Sequence, residues 1–126
     1  MARSSSTIAG AIFAGGCIGV LGRGALEQAF PATASGWPWA TFAANIAGTI
    51  ILAAVANRLH ERPPRSIHLR PLLGTGVCGA LTTFSTLQVE VLRLAHHGHV
   101  ALAAAYLATS LVLGLAAVQA VTRAGR

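Results

Sequence analysis

Four long apolar runs separated by short connections constrain this chain more than any other feature. The runs cover residues 7–29, 39–57, 69–94 and 100–122 of the 126 residues. A helix of about 20 mostly apolar residues is long enough to cross the hydrocarbon core of a bilayer. The pattern therefore predicts an all-α membrane protein with four transmembrane helices, in a single domain that comprises residues 1–126. Trp37 and Trp39 lie at the start of the second run, where an interfacial aromatic belt would place them.

The composition excludes an ordinary soluble domain. Only 10% of the residues are charged, whereas soluble domains carry about 25%. The net charge of +6 comes from arginines that lie mostly between the apolar runs. This placement predicts a role in membrane orientation rather than nucleic-acid binding, so we expect membrane lipid, and no nucleic acid, among the partners.

The arginines also predict the orientation. With four spans, both termini and the middle connection share one side, whose arginines are Arg3, Arg58, Arg62, Arg65, Arg70, Arg123 and Arg126. The opposite side holds Arg93, and Arg23 if its side chain points outward. Because arginine-rich connections stay in the cytoplasm, we expect a multi-pass protein of the cytoplasmic membrane with both termini cytoplasmic.

The first run also imitates a cleavable signal peptide, with Arg3, an apolar segment over residues 8–21 and the sequence Ala32-Thr33-Ala34. Arg23 and Glu27 disfavour this interpretation, since signal peptides do not usually carry a charged pair before the cleavage site. Cleavage would leave three spans.

The third run contains a stretch that does not suit a lipid-facing helix, residues 74–90, GTGVCGALTTFSTLQVE. Its three glycines each lower helix propensity by about 1 kcal/mol relative to alanine. Its hydroxyl groups can bond backbone groups that an interrupted helix frees, and they belong to Thr82, Thr83, Ser85 and Thr86. Such a break is tolerated in a bilayer only where protein or a water-filled path covers it, and transporters place ion sites at such breaks. We expect a third helix broken mid-membrane, and the functional centre at the break.

Small residues at four-residue intervals predict where helices pack. They are Ala11, Gly15 and Gly19 in the first run and Ala40, Ala44 and Gly48 in the second, and such spacing allows close backbone approach. Arg23 continues the first stripe. It is interpreted either as an ion pair with Glu27 at i+4 or as a charge in an aqueous vestibule.

Several polar residues inside the runs are candidates for function. Asn45 can either hydrogen-bond a neighbouring helix or act as a donor that lines a polar path. Thr83, Thr86 and Glu90 form a polar stripe, and an intramembrane carboxylate is a functional candidate by default, although Glu90 can also simply bond a neighbouring hydroxyl. Tyr106 alone indicates packing more than chemistry.

No enzymatic site is predicted. The sequence has no phosphate-binding loop, no nucleophile–base pair and no paired acids suited to hydrolysis. Cys17 and Cys78 are interpreted as free thiols within apolar runs. His96, His97 and His99 are interpreted as a solvated loop, since no acid or cysteine lies near them to complete a metal site.

These features together resemble the CrcB/Fluc family of fluoride channels over essentially the whole chain. The resemblance lies in the four short spans, residues 16–23, the Trp37–Thr41 segment with Asn45, and above all the run Gly79-Ala80-Leu81-Thr82-Thr83-Phe84-Ser85-Thr86. It implies an antiparallel dimer with two fluoride pores, which exports fluoride passively and lowers its toxicity in the cytoplasm.

The resemblance also implies roles for individual residues. A structural sodium ion at the dimer interface would be held by the backbone carbonyls of Gly79 and Thr82. Arg23 would lie near the vestibule, and Thr83 and Glu90 along the polar stripe. The pore would involve Asn45, Phe84, Ser85, Thr86, Tyr106 and Ser110.

Two departures from the family pattern suggest a heterodimer. The family has a second phenylalanine three residues after the first, and here that position is Leu87. Members that insert in both orientations need nearly balanced flanking charge, whereas this chain is strongly biased. We hypothesise that the chain forms either a homodimer or a heterodimer with an oppositely oriented paralogue.

Two other function classes fit the composition. A small dimeric multidrug or cation exporter would need a titratable acid in its cavity, and only Glu27 and Glu90 are candidates. A non-transporting subunit that scaffolds a larger membrane complex would need neither Asn45 nor Phe84 for fluoride tolerance.

Overall fold

The computed structural model describes residues 2–61 and 66–125. It is built of helices: α1 (Ala2–Ala29), α2 (Trp39–Glu61), a π-helical segment (Pro71–Cys78), α3 (Gly79–Leu81), α4 (Phe84–His96) and α5 (Val100–Ala124). Four stretches are long and apolar enough to cross a membrane, namely Ser5–Ala29, Trp39–His60, Pro71–His96 and Val100–Ala124. The prediction of an all-helical chain with four such stretches is confirmed.

Three helices continue past the C-terminal ends of the runs predicted from apolar content, and α1 begins at Ala2, five residues before its run. α2 extends from residue 57 to Glu61, α4 from residue 94 to His96, and α5 from residue 122 to Ala124. The added residues include Arg58, His60, His96 and Arg123, and Arg93 lies just before them in the last turn of α4. Basic residues favour the negative end of the helix dipole, so the helices continue where apolar content ends.

The third stretch is not one helix. It begins with Pro71 and runs as a π-helix to Cys78, followed by the single turn α3. At Thr82 and Thr83 the backbone is extended, with ψ angles of 148° and 118°. α4 then starts at Phe84. The glycines at 74 and 76 lie inside the π-helical segment, where the chain is still helical. The helix is interrupted only after them, at Thr82 and Thr83.

Glycines allow α1 to touch the π-helical segment backbone to backbone. A Cβ at Gly15 would clash with the carbonyl oxygen of Leu72, and one at Gly76 would lie 2.7 Å from the carbonyl oxygen of Ile12. Gly19 similarly faces the carbonyl of Val77. The predicted packing face of α1 is therefore confirmed, and it fixes the half of the third stretch that precedes the interruption.

The second stripe of small residues is also buried. Ala40 and Ala44 belong to the core, and a Cβ at Gly48 would clash with the methyl group of Thr82. α2 thus packs directly against the interruption.

The half that follows the interruption is held by α5. Leu87, Leu94, Ala103 and Tyr106 form a buried cluster, and Trp37 packs edge-on against Tyr106 with 5.4 Å between ring centroids. Trp39 is 56% exposed, so of the two tryptophans only Trp37 contributes to the core.

The reversal between α4 and α5 is a Schellman motif. Gly98 has φ of 85°, the N–H of His99 donates to the Leu94 carbonyl, and that of Gly98 donates to the Ala95 carbonyl. A left-handed glycine at this position closes a helix without strain. The three predicted loop histidines lie in and beside this turn.

The close approach at Gly15 generates a stability prediction. Gly15→Ala should destabilise the protein because the new Cβ meets backbone that cannot move aside, with a cost of roughly 1–3 kcal/mol. The control is Gly16→Ala, where a Cβ meets nothing within 4 Å and helix propensity improves. We expect a lower melting temperature in detergent for Gly15→Ala only, and equal melting of the two variants would contradict the packing described.

Candidate functional site

One side chain holds the interruption of the third stretch in place. The Asn45 amide on α2 donates through Nδ2 to the Thr83 carbonyl at 3.1 Å and accepts through Oδ1 from the Thr83 N–H at 2.7 Å. Both backbone groups of Thr83 are therefore satisfied without a helix. Of the two interpretations of Asn45, the structure shows the hydrogen bond between elements. The amide has a second N–H, and Asn45 also lines the cavity beside the break.

The hydroxyl groups complete the local bonding. Thr82 Oγ1 donates to the Cys78 carbonyl at 2.9 Å. Thr83 caps α4, since its hydroxyl oxygen accepts from the Thr86 N–H at 3.2 Å. The Thr83 hydroxyl also lies 3.0 Å from the Thr86 hydroxyl and 3.3 Å from that of Ser85. A threonine N-cap stabilises a helix start by about 1 kcal/mol. Thr82 therefore completes the bonding of the helix before the break, and Thr83 caps the helix that follows.

The two residues predicted to hold a sodium ion lie beside the break. In a continuous helix the Thr83 N–H would donate to the Gly79 carbonyl, but here it donates to Asn45. Gly79 is exposed, and the space beside its Cα is open. Gly79 and Thr82 line the same cavity. Because hard cations prefer oxygen ligands, these two residues fit the predicted sodium ion.

A cavity of about 330 Å³ opens beside the break. It is bounded by α2, the π-helical segment and the start of α4, and its lining includes Asn45, Gly48, Thr49, Gly79, Thr82 and Phe84. The Phe84 ring is 68% exposed, although it follows directly on the break. Polar groups and an exposed aromatic residue thus meet beside the break, on one face of the chain.

Glu90 lies at the centre of a separate hydrogen-bond network. Its carboxylate accepts from the Thr41 hydroxyl at 2.7 Å and from the buried Tyr106 hydroxyl at 2.8 Å. Ser110 donates to the Tyr106 carbonyl at 2.7 Å. The network joins α2, α4 and α5, and it satisfies both oxygens of the one carboxylate that the sequence places deep in an apolar run.

The predicted pore residues therefore fall into two groups. Asn45 and Phe84 share the cavity at the break, and Ser85 and Thr86 bond to Thr83 beside it. Tyr106 and Ser110 belong to the Glu90 network, and the Tyr106 hydroxyl is committed to that carboxylate. Their roles in a pore stay predictions, as do those of the stripe residues Thr83 and Glu90.

Arg23 contacts both a carboxylate and a backbone carbonyl. Its Nη1 lies 3.3 Å from Glu27 Oε1, and its Nε donates to the Ala80 carbonyl at 3.3 Å. The predicted i, i+4 ion pair is therefore present. The side chain is 29% exposed, and its second contact links α1 to the turn before the break.

Leu87 and Phe84 have different surroundings although they are three residues apart. Leu87 is buried, with 6% exposure, in the cluster around Tyr106. A ring at position 87 would have to displace that cluster. The departure at Leu87 thus alters the core of the chain rather than the exposed surface that carries Phe84.

The sequence alone did not identify two residues of these networks. Thr41 bonds Glu90, and Thr49 donates to the Asn45 carbonyl at 2.7 Å. Both lie four residues from Asn45, one turn away on the same helical face. A search of that face for hydroxyl groups would have found them.

The remaining candidates form no further centre in the described residues. Both cysteines are free. No group of three or more His, Cys, Asp or Glu side chains in residues 2–61 and 66–125 could hold a metal ion. The predicted basic positions Arg62, Arg65 and Arg126, and the side chain of Arg3, lie outside the residues described.

Comparison with known proteins identifies the family. Residues 10–122 match the family described as "CrcB-like protein, Camphor Resistance (CrcB)". The chain is 50% identical over 112 residues to "Fluoride-specific ion channel FluC 1" of Mycobacterium bovis, covering 89% of this chain and 85% of the relative. It is 50% identical over 113 residues to the protein of that name from Mycolicibacterium paratuberculosis, covering 90% and 86%.

A more distant relative carries a different number in its name. "Fluoride-specific ion channel FluC 3" of Streptomyces avermitilis is 40% identical over 107 residues, which cover 85% of this chain and 52% of that protein. The family match includes the broken stretch and at least part of each of the four spans. The chain, a multi-pass membrane protein, therefore belongs to the CrcB family.

Proposed function

We propose that this chain is a subunit of a fluoride-selective ion channel, which lets fluoride leave the cytoplasm passively and so lowers its toxicity. The observation that carries the proposal is the clamped interruption at Thr82–Thr83 in a chain half identical to proteins named fluoride-specific channels. The break leaves polar groups and the Phe84 ring on one open face. A family with a channel function accounts for a site that has no catalytic group.

The chemistry of the site suits a small, strongly hydrated anion. A narrow path must replace the hydration shell of fluoride with donors, and hydroxyl and amide groups are donors. Asn45 has a second N–H beyond the one bonded to Thr83, and the hydroxyls of Thr83, Ser85 and Thr86 lie together beside it. The edge of the Phe84 ring carries partial positive charge, so it attracts an anion without offering a hydrogen bond.

An antiparallel dimer would cover the open face. The cavity beside the break and the 68% exposed Phe84 ring occupy that face. A second subunit that packs there would place the break between proteins at membrane depth, which is where an interruption is tolerated. The carbonyls of Gly79 and Thr82 from the two subunits would then hold a sodium ion, whose charge offsets the repulsion between facing carbonyl groups.

The charge distribution supports a fixed orientation with cytoplasmic termini. Arg58 shares one cavity with Val121 and Gly125 and another with Leu69, which places the ends of α2 and α5 and the start of the third stretch together. Arg70 and Arg123 lie at that end. Arg93 lies at the other end with Glu27, Phe30 and Ala32.

A biased chain needs a partner of opposite orientation to form an antiparallel dimer. Streptomyces avermitilis carries relatives named FluC 1, FluC 2 and FluC 3, so numbered paralogues occur within one organism. We therefore favour a heterodimer with an oppositely oriented paralogue over a homodimer. Leu87 is buried in the core of the chain, so the departure at this position does not bear on the choice of partner. The heterodimer is supported by the charge bias and by the numbered relatives.

The exporter alternative finds no support in the described residues. Glu27 pairs with Arg23 near the end of α1, and both oxygens of Glu90 accept hydrogen bonds. Neither acid lies free in a central cavity, as proton-coupled exchange of a cationic substrate would require.

Replacing the exposed ring tests the function directly. Phe84→Ile should lower fluoride efflux from liposomes up to about tenfold, if the ring edge attracts the anion about as strongly as ring edges attract other rings, which is about 0.5–1.5 kcal/mol. The variant subunit should fold normally because the ring is largely exposed in the single chain, and isoleucine keeps an apolar side chain for the partner to cover. Efflux is measured with a fluoride electrode after valinomycin releases potassium. The control is Phe13→Ile, at an aromatic residue that is 74% exposed on α1, and equal efflux by both variants would contradict the proposal.

Replacing Asn45, whose amide bonds both backbone groups of Thr83, tests whether this residue does more than join two helices. Asn45→Ala leaves the N–H and carbonyl of Thr83 unpaired, at a cost of about 1–3 kcal/mol for each buried group. We expect a lower melting temperature, retained assembly and nearly complete loss of fluoride efflux. Asn57 offers a matched control, since its amide also joins α2 to another helix, donating to the Val121 carbonyl at 3.3 Å. Asn57→Ala should keep its efflux, and a shared loss would assign Asn45 a merely structural role.

Reporter fusions test orientation and pairing. Wild-type protein with a C-terminal fluorescent protein should report a cytoplasmic terminus only, and Arg58→Gln combined with Arg70→Gln should produce both orientations because it removes flanking charge. The purified chain alone should give weak efflux that an oppositely oriented paralogue restores. Dual insertion of the wild-type chain, or full efflux by it alone, would instead establish a homodimer.

A further inference from the structure

Two cavities meet at Arg58, close to the end of α2. The apolar groove, of about 410 Å³, lies between α2 and the start of the third stretch. The end cavity, of about 380 Å³, lies between the ends of α2 and α5. Ala54 and Arg58 line both of them. The exposed Arg58 side chain therefore stands at the junction of the two spaces.

The apolar groove suits a hydrocarbon chain. The side chains that line it besides Arg58 are all apolar and include Ile51, Val55, Leu69 and Leu73. Its α2 residues, 50–59, rise roughly 14 Å along the helix, about half the thickness of a typical hydrocarbon core. They belong to the membrane-spanning stretch Trp39–His60, so the groove follows one leaflet and an acyl chain can fill it.

The end cavity leaves room for a polar headgroup beside Arg58. Asn57 also lines it, and its amide donates to the Val121 carbonyl at 3.3 Å. Neither cavity has a carboxylate among its lining residues. A guanidinium group can donate two parallel hydrogen bonds to a phosphate, so Arg58 can bind a lipid phosphate between the two spaces.

The charge at this end of the chain favours an anionic ligand. Among the side chains that the structure describes, no carboxylate lies within ion-pair distance of Arg58. Glu61 is the only acidic residue that the sequence places at this end, against the arginines at positions 58, 62, 65, 70, 123 and 126. The net charge there is therefore positive, and in the orientation proposed above this end faces the cytoplasmic leaflet, whose anionic lipids attract basic segments.

We propose that Arg58 and the apolar groove form a binding site for one anionic phospholipid of the cytoplasmic leaflet. The phosphate bonds the Arg58 guanidinium, and one acyl chain fills the groove between α2 and the start of the third stretch. The site goes beyond fluoride conduction and does not require it. The bound lipid would join two elements that precede and follow the middle connection.

The test measures lipid affinity by native mass spectrometry of the purified full-length protein, titrated with phosphatidylglycerol or with phosphatidylcholine of the same acyl chains. We expect the wild type to bind phosphatidylglycerol about fivefold more tightly, the factor that corresponds to about 1 kcal/mol per basic residue near an anionic lipid surface. Arg58→Gln should bind both lipids alike. Arg123→Gln removes a charge at the same end but from neither cavity, and should keep the preference.

A second pair of variants tests the groove without changing the charge. Ala54 lines both cavities, so the ring of Ala54→Phe should fill the groove and lower the affinity for phosphatidylglycerol at least fivefold. Ala56→Phe is the matched control, because Ala56 is exposed on the same helix and lines neither cavity. It should bind lipid as the wild type does.

Four outcomes would overturn the proposal. They are equal affinity of the wild type for the two lipids, an equal loss in Arg58→Gln and Arg123→Gln, unchanged binding by Ala54→Phe, and displacement of the lipid by an equal concentration of glycerol 3-phosphate, which has no acyl chain. Loss of the dimer in Ala54→Phe with unchanged lipid binding would assign the groove to a second subunit instead. None of these measurements uses fluoride, so failure of the lipid site and failure of the channel function are distinguishable.

Discussion

The paired hydrogen bonds between the Asn45 side chain and the Thr83 backbone are the interaction on which the structure depends. An interrupted helix leaves backbone donors and acceptors that cost several kcal/mol each in hydrocarbon. Asn45 satisfies one of each, because its amide has the same donor and acceptor as a peptide group. The Thr83 hydroxyl then caps α4. With these bonds the break is a stable element, and its neighbours Gly79 and Phe84 stay exposed in the single chain.

The two halves around the break are fixed by different physics. The π-helical segment before it is held by backbone contact with α1, which the glycines at 15, 19 and 76 permit. α4 after it is held by the apolar cluster around Tyr106 and by the Glu90 network. Arg23 adds a bond from α1 to the Ala80 carbonyl. Because each half is anchored separately, the polar residues between them are held in place on both sides, as the proposed fluoride path would require.

The sequence predicts the four spans well, since apolar content and length determine what a bilayer accepts, and the starts at Trp39 and Val100 agree with the structure. It does not predict the π-helical register, because glycine content lowers helix stability without selecting a hydrogen-bond pattern. The hydrogen bonds of Asn45 join residues that are 38 positions apart in the chain. The sequence predicts that the backbone groups at a break need a partner, but it does not predict which residue that partner is. Phe84 and Leu87 look alike in a helical pattern, but only Leu87 is covered, because α5 packs over it. Local sequence thus indicates where the site lies, and the packing of distant helices decides which side chains it exposes.

An experimental structure of the purified protein in a lipid nanodisc, with fluoride and sodium present, tests the central claim most directly. The account predicts extended backbone at Thr82 and Thr83 near the bilayer midplane, with both arms of the Asn45 amide bonded to Thr83. It also predicts that a second, inverted subunit covers Phe84. A single unbroken helix through residues 79–90, with Phe84 and its neighbours turned toward lipid, would contradict it.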